Sequence, residues 1–288
     1  MVNQTELQTI DFSLLIEAKK ANPNGDPLNG NAPRQDIDGH GEISDVAIRR
    51  KVRNVLHHAG ESIFVQSDAL SNDGYTSLEQ RFKALEGLPK DIKKPEELER
   101  VKGLLTDKYI DIRLFGQVAA FNKISVALRG PVTITHAESI GPVTVTRQQI
   151  TKSVNGVHKK DGGLASDRMG EKQRVEYGLY RLNGRVNVIW GEKTGLTTAD
   201  VELLKQALIS LFENDESAAR PAGSMSVLNV YWWEHGTRLP QSSARKSYDT
   251  LKVTLKENIY NPSRLEDFDI IVDTPEDFKP KLTIYEGL

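Results

Sequence analysis

A loop rich in turn-forming residues, Asn22-Pro23-Asn24-Gly25-Asp26-Pro27-Leu28-Asn29-Gly30-Asn31-Ala32-Pro33-Arg34, is followed closely by a helix-forming segment carrying Arg49, Arg50, Lys51 and Arg53. Pro, Gly and Asn fix the turns of such a loop, and its lack of Lys rules out a Walker-type phosphate cradle. Arg presents a planar fork that fits phosphate oxygens. A basic helix by itself reads most often as a solvated face; with the adjoining polar loop it is a candidate surface for a sugar-phosphate backbone. Lys19, Lys20 and Arg34 lie at the two ends of the loop, and Asn22, Asn24, Gly25 and Asn31 line it, so all seven join the candidate track with the helix cations.

A second basic stretch runs through residues 136–174. It carries Arg147, Lys152, Lys159, Lys160 and Arg168, with Met169 where no core is evident for an apolar side chain to join. Apolar side chains can wedge between bases and break a stack, which makes Met169 the candidate wedge. The bland alternative is a solubilising loop. Trp232 and Trp233 could stack on bases, but they stand in an apolar strand whose alternation buries at least one of them; Tyr177 and Tyr180 are read as core in the same way.

Hydrolytic or metal chemistry is less well supplied. His40, His57, His58, His136, His158 and His235 show no metal-ligand spacing, and there is no Cys; neither a metal nor a cofactor is expected. Asp26, Asp36 and Asp38 stand beside the proposed track. Asp26, between Gly25 and Pro27, reads as an Asx-type turn residue.

The elements that must position these residues follow from periodicity. Ile10, Phe12, Leu14 and Ile16 alternate, which predicts a strand from about Thr9 to Lys19. Ser44 is a good N-cap with Asp45 in the first turn, and Ile48, Val52, Val55, Leu56 and Ala59 share one helical face. Arg49, Arg53 and His57 fall on another, with Arg50 beside them. Residues 61–110 are polar, with a short helix at Pro95–Leu105, and read as a helical insertion. Lys123–Leu128 and Pro131–Thr135 are β-like, Val175–Trp190 resumes strand character, and Thr197 or Thr198 caps a second helix. Val227–Trp233 is a strand and Tyr248–Leu255 another candidate. The order strand, helix, strand, strand, helix, strand predicts an α+β chain: one ferredoxin-like, RRM-like (split βαβ) domain over 1–288 with long insertions at 61–110 and 136–174.

Composition fits a chain with a sizeable core: 288 residues, 38% hydrophobic and 27% charged. No apolar run approaches the roughly 20 residues of a membrane span, and Met1–Glu6 lacks a basic-then-apolar signal pattern. Together with the absence of Cys this points to the cytoplasm. The net charge of −2 hides a polarity, with nine Lys/Arg against four Asp/Glu from Arg147 to Arg185, and three against eight from Glu257 to Leu288. That distribution suits a protein binding a polyanion on one face without repelling its own copies, although charge alone reads first as an uneven, solvated surface.

The Asn22–Arg34 segment closely resembles the CRISPR-associated Cascade backbone subunits, the Cas-seven family, and within it the subtype I-C branch. Asp111-Ile112-Arg113-Leu114-Phe115-Gly116, Arg129-Gly130-Pro131-Val132, Met169-Gly170, Val175-Glu176-Tyr177-Gly178-Leu179-Tyr180 and Gly195-Leu196-Thr197 match further, in the family's order and over most of the chain. The resemblance implies a non-catalytic subunit that holds CRISPR RNA by its backbone in several head-to-tail copies. It implies a thumb at 136–174 that crosses the guide, and a fingers-like insertion at 61–110. The implied partners are the large, small and repeat-processing subunits and then a target DNA strand, with guide-target pairing supplying specificity.

Two rivals stay open. One is a metal-dependent target-RNA nuclease of the type III kind using Asp26 or Asp36; the other is a monomeric RRM-like single-strand RNA binder.

Overall fold

A computed structural model describes residues 7–89, 94–121, 124–151 and 169–288. In chain order these form β1 (Ile10–Ala21), β2 (Gly25–Asp26), β3 (Ala32–Pro33), β4 (His40–Ile43), α1 (Asp45–His58), α2 (Leu78–Lys83), α3 (Pro95–Lys108) and α4 (Ile110–Phe115). There follow β5 (Gly116–Phe121), β6 (Ile124–Arg129), β7 (Val132–Ile134), β8 (Ala137–Pro142), β9 (Val145–Thr151), β10 (Met169–Val186), α5 (Val188–Thr194) and α6 (Thr198–Ile209). The chain closes with β11 (Met225–Glu234), α7 (Ala244–Asp249), β12 (Leu251–Leu255), β13 (Phe268–Val272) and β14 (Lys281–Glu286).

The architecture is a mixed α/β chain built on a large antiparallel sheet. β1 is its central strand, paired antiparallel with β10 on one side and β11 on the other. β14 extends the sheet beyond β11. Beyond β10 the edge is made by β7, β8 and β9 in succession, with β4 outside β8.

Alternation along β1 divides its side chains between two faces. Phe12, Leu14 and Ile16 join the larger core with Ile48, Val52 and Leu56 of α1 and Leu204 and Leu208 of α6. Trp232 stacks on Phe12 at 5.7 Å between centroids. Gly184 lies directly opposite Phe12, where an added Cβ would stand 2.1 Å from the ring.

Leu15 faces the other way, into a second core with Tyr177, Leu179, Tyr231 and Trp233 beneath the β12–β13 hairpin. Both tryptophans of the pair are therefore buried, on opposite faces. α7 is tied to this face by Asp11, which is fully buried. Asp11 accepts from Arg185 Nε at 2.5 Å and Nη2 at 2.9 Å, from Ser247 Oγ at 2.7 Å and from His235 Nε2 at 3.0 Å. His235 Nδ1 accepts from the Gln241 amide at 3.0 Å, so Nε2 carries the proton. Burial alone would raise the Asp11 pKa; hydrogen bonds from His235, Arg185 and Ser247 outweigh it and hold the carboxyl below its ordinary value.

Several sequence expectations need correction. The strand expected over Val175–Trp190 ends at Val186, because the Asn187 side chain caps the Trp190 amide and opens α5. Tyr248 belongs to α7, and the strand begins at Leu251. The start of the basic excursion is sheet: Ala137 and Ser139 are buried in β8. Val145–Thr151 then pairs with Met169–Val175 as a two-stranded ribbon. Within the expected insertion, residues 61–89 and 94–110 form α2, α3 and the start of α4 around an apolar cluster that includes Phe64, Phe82, Val101, Leu105 and Tyr109. Among the described residues, no helix is long and apolar enough to cross a membrane.

Candidate nucleic-acid interface

The Asn22–Arg34 loop is built mainly by its own polar groups. Asn22 is buried and donates to the Asn31 carbonyl at 2.7 Å. Asn24 Oδ1 accepts from the Ser44 amide at 3.0 Å, which ties the loop to the start of α1. A Cβ at Gly25 would lie 2.1 Å from Asn31 Oδ1, so any side chain there would displace the Asn31 amide. Gly30 and Asn31 are both left-handed, at φ 57° and 59°, a conformation Gly and Asn reach at low cost. Asn22, Asn24 and Gly25, expected as backbone contacts, thus shape the loop from within.

Asn31 and the two lysines at the end of β1 are exposed. Lys20 adopts φ 53°, a left-handed geometry uncommon for a side chain of its kind. It interrupts the strand so that Lys19 and Lys20 are both exposed in succession. Arg34 lies 3.5 Å from Asp26, which caps the Leu28 amide at 3.2 Å. Asp36 accepts from the Asp38 and His40 amides at 2.9 and 2.8 Å. Both carboxylates are turn formers.

The loop tip meets the base of the β9–β10 ribbon, with Gly30 facing Gln173. Here Glu176 accepts from Thr146 Oγ1 at 2.6 Å and lies 3.5 Å from Arg174. The Thr146 hydrogen bond, helped by the charges of Arg174 and Lys20, holds the Glu176 carboxyl below its ordinary pKa. Arg174 was not singled out in the sequence, although it stands in the basic stretch. Arg147 is engaged by Glu171 across the ribbon, with Nε 2.8 Å from Oε2. Met169 opens β10 opposite Thr151; its side chain, together with Lys152, Lys159, Lys160 and Arg168, lies outside the described residues.

The basic residues of α1 divide sharply. Lys51 is buried, and its ammonium is bound to Asp215 beside the Phe212 ring. Burial lowers its pKa in spite of Asp215. A strand lying on the surface does not reach it, so Lys51 leaves the candidate track. Arg53 is also held inward, with Nε 2.9 Å from Asp111, a fully buried carboxylate that accepts from the Phe64 and Val65 amides at 2.8 and 3.1 Å. Arg50 donates to the Val65 carbonyl at 2.6 Å. Arg49 has 29% side-chain exposure, against 6% for Lys51 and 11% for Arg53, with Asp45 at 3.2 Å. Arg49 and Arg53 both lie over the Phe115 ring, at 5.8 and 5.0 Å.

The stretch Asp111–Gly116 is therefore a junction. Asp111 binds the α1 arginine, Phe115 carries two guanidinium groups, and Arg113 grips Asp200 of α6 through Nε and Nη2 at 3.0 and 2.8 Å. Asp200 in turn closes the capping box with Thr197.

The family model for CRISPR-associated protein Cas7 matches residues 8–273. This chain belongs to that family. A CRISPR-associated protein Cas7 of Haloferax volcanii is 26% identical over 246 residues, 78% of this chain and 70% of the relative. A chain of a solved CRISPR RNA-guided surveillance complex, described as pre-nicking, superposes with a TM-score of 0.54 at 18% identity, covering 87% of this chain and 83% of that one. At that identity the likeness is one of fold.

Within this Cas7 chain, the described residues include no group of three or more His, Asp or Glu arranged to hold a metal ion. Lys19, Lys20 and Asn31 are exposed and Arg34 and Arg49 partly so, which leaves charge and hydrogen-bond donors open to solvent.

Proposed function

We propose that this chain is the backbone subunit of a type I Cascade surveillance complex, of the subtype I-C branch. It binds CRISPR RNA through phosphates in several head-to-tail copies and supports pairing of the guide with a target DNA strand. Its other partners are the large, small and repeat-processing subunits, in the cytoplasm. The observation that carries this reading is the family match over residues 8–273.

The domain plan is a single ferredoxin-like palm, with fingers at 61–110 and a thumb at 136–174. Support comes from the sheet, where β11, β1, β10 and β7/β8 lie in that order, all antiparallel, with α1 and α6 on one face. That is the strand order of a split βαβ pair. Copies add by a heterologous contact that propagates instead of closing.

The subunit is non-catalytic in this reading. Asp26 and Asp36, the carboxylates nearest the track, both accept backbone amides of their own turns. Co-expression with a repeat-spacer array tests the assignment: the chain should elute as a large particle holding one RNA of defined length, and a monomer free of RNA would refute it. Labelled RNA complementary to the guide should stay intact in Mg²⁺ on a denaturing gel. Regular cuts that vanish in Asp26→Ala or Asp36→Ala would favour the nuclease reading.

A further inference from the structure

Trp190 on α5 is half-buried at the surface and carries two cations. The Arg129 guanidinium lies 4.3 Å and the Lys193 ammonium 4.7 Å from its ring centroid. Both side chains are exposed, and neither has a carboxylate partner among the described residues; Glu192, next in sequence to Lys193, is engaged by Arg238 at 2.5 Å. A ring face attracts a cation, but it does not neutralise two like charges gathered at one indole, and a bound anion would. The cluster also continues the α1 surface. Arg129 precedes Gly130, whose added Cβ would stand 2.1 Å from the Phe115 carbonyl carbon, and Phe115 is the ring under Arg49 and Arg53. The Arg49–Phe115 contact and the Arg129–Trp190–Lys193 cluster are thus joined through the close backbone approach of Gly130 to Phe115.

We infer that Arg129, Trp190 and Lys193 form a second phosphodiester site, extending the single-strand path from the α1 surface to the end of α5. This rests on the nucleic-acid reading above. Arg129 supplies the bidentate fork, Lys193 a point charge, and Trp190 holds both in place. The strand concerned is either the guide RNA or the target DNA, and two binding experiments separate them.

The test compares the double variant Arg129→Gln/Lys193→Gln with Arg49→Gln and wild type. In one arm the free protein binds a labelled single-stranded RNA of mixed sequence across a salt series. In the other the RNA-loaded particle binds labelled complementary single-stranded DNA. Loss of the one phosphate held by this site should flatten log K against log salt by about 0.7, with an unchanged melting temperature. Flattening in the RNA arm assigns the site to the guide, and flattening in the DNA arm alone assigns it to the target. A wild-type slope in both arms, with Arg49→Gln flattened, overturns the second site and leaves the backbone reading standing. Wild-type slopes for every variant overturn both. A readout independent of the variants' folding is iodide quenching of wild-type tryptophan fluorescence. Trp232 and Trp233 are buried at 2% and 0% exposure, so quenching reports chiefly on Trp190, and the bound strand should protect it; equal quenching with and without nucleic acid argues against the site.

Discussion

At the scale of single residues, neighbouring cations on α1 have opposite roles, and substitution should separate them. Arg53 faces a carboxylate with no solvent exposure. Arg53→Ala leaves Asp111 with only its two backbone amides, and removing one partner of a buried pair costs about 3 kcal/mol; urea denaturation should show this loss. Arg49→Ala removes a half-exposed i,i+4 pair worth less than about 0.5 kcal/mol. Its effect should appear in RNA titrations, as a salt slope flattened by about 0.7. An unchanged slope with lowered stability would make Arg49 structural as well.

At the scale of elements, two attachments decide how the insertions and the far face are carried. The Asp11 network joins β1, β10, the end of β11 and α7. Because the folded-state pKa of Asp11 is depressed, its contribution to stability is complete above about pH 5 and is lost as pH falls below its unfolded value of about 3.9. Asp11→Asn should therefore flatten the acid limb of a plot of urea midpoint against pH; an acid limb identical to wild type would show that other carboxylates set it. The β9–β10 ribbon is already paired from Val145↔Val175 to Thr151↔Met169. Replacing residues 152–168 with an Asn-Gly turn should close a hairpin and leave the melting temperature within about 2 °C of wild type. Particle assembly or target binding should nonetheless fall. Wild-type assembly by this variant would remove the thumb role from the ribbon.

At the scale of the molecule, recognition through phosphates predicts strong salt dependence and indifference to spacer sequence. Two unrelated spacers of equal length should bind with affinities within about twofold, measured at one salt concentration; a reproducible tenfold difference, about 1.4 kcal/mol, would mean that the protein reads bases. A net charge of −2 is compatible with such binding because the chain is polarised. Many of its arginines, among them Arg53, Arg81, Arg113 and Arg185, are also engaged by carboxylates of the same chain.

Local patterns were legible in the sequence by itself. The β1 alternation, the Ser44 cap, the helix after Thr197, the Asx turn at Asp26 and the ordered family motifs each depend on residues close together along the chain. Periodicity also separated the apolar stripe of α1 from its polar faces. It did not tell which polar face would be covered. That was decided by partners far away in sequence: Asp215 draws Lys51 inward across 164 positions, and Asp111 draws Arg53 across 58. The motif at Asp111–Gly116 likewise revealed family but not purpose, because its work is to join α1, α6 and the β5–β6 hairpin. Arg129, Trp190 and Lys193 become a cluster only when α5 packs beside β6. A helical wheel ranks positions around one axis, whereas burial and charge pairing depend on what packs against that axis, and only the tertiary structure supplies it.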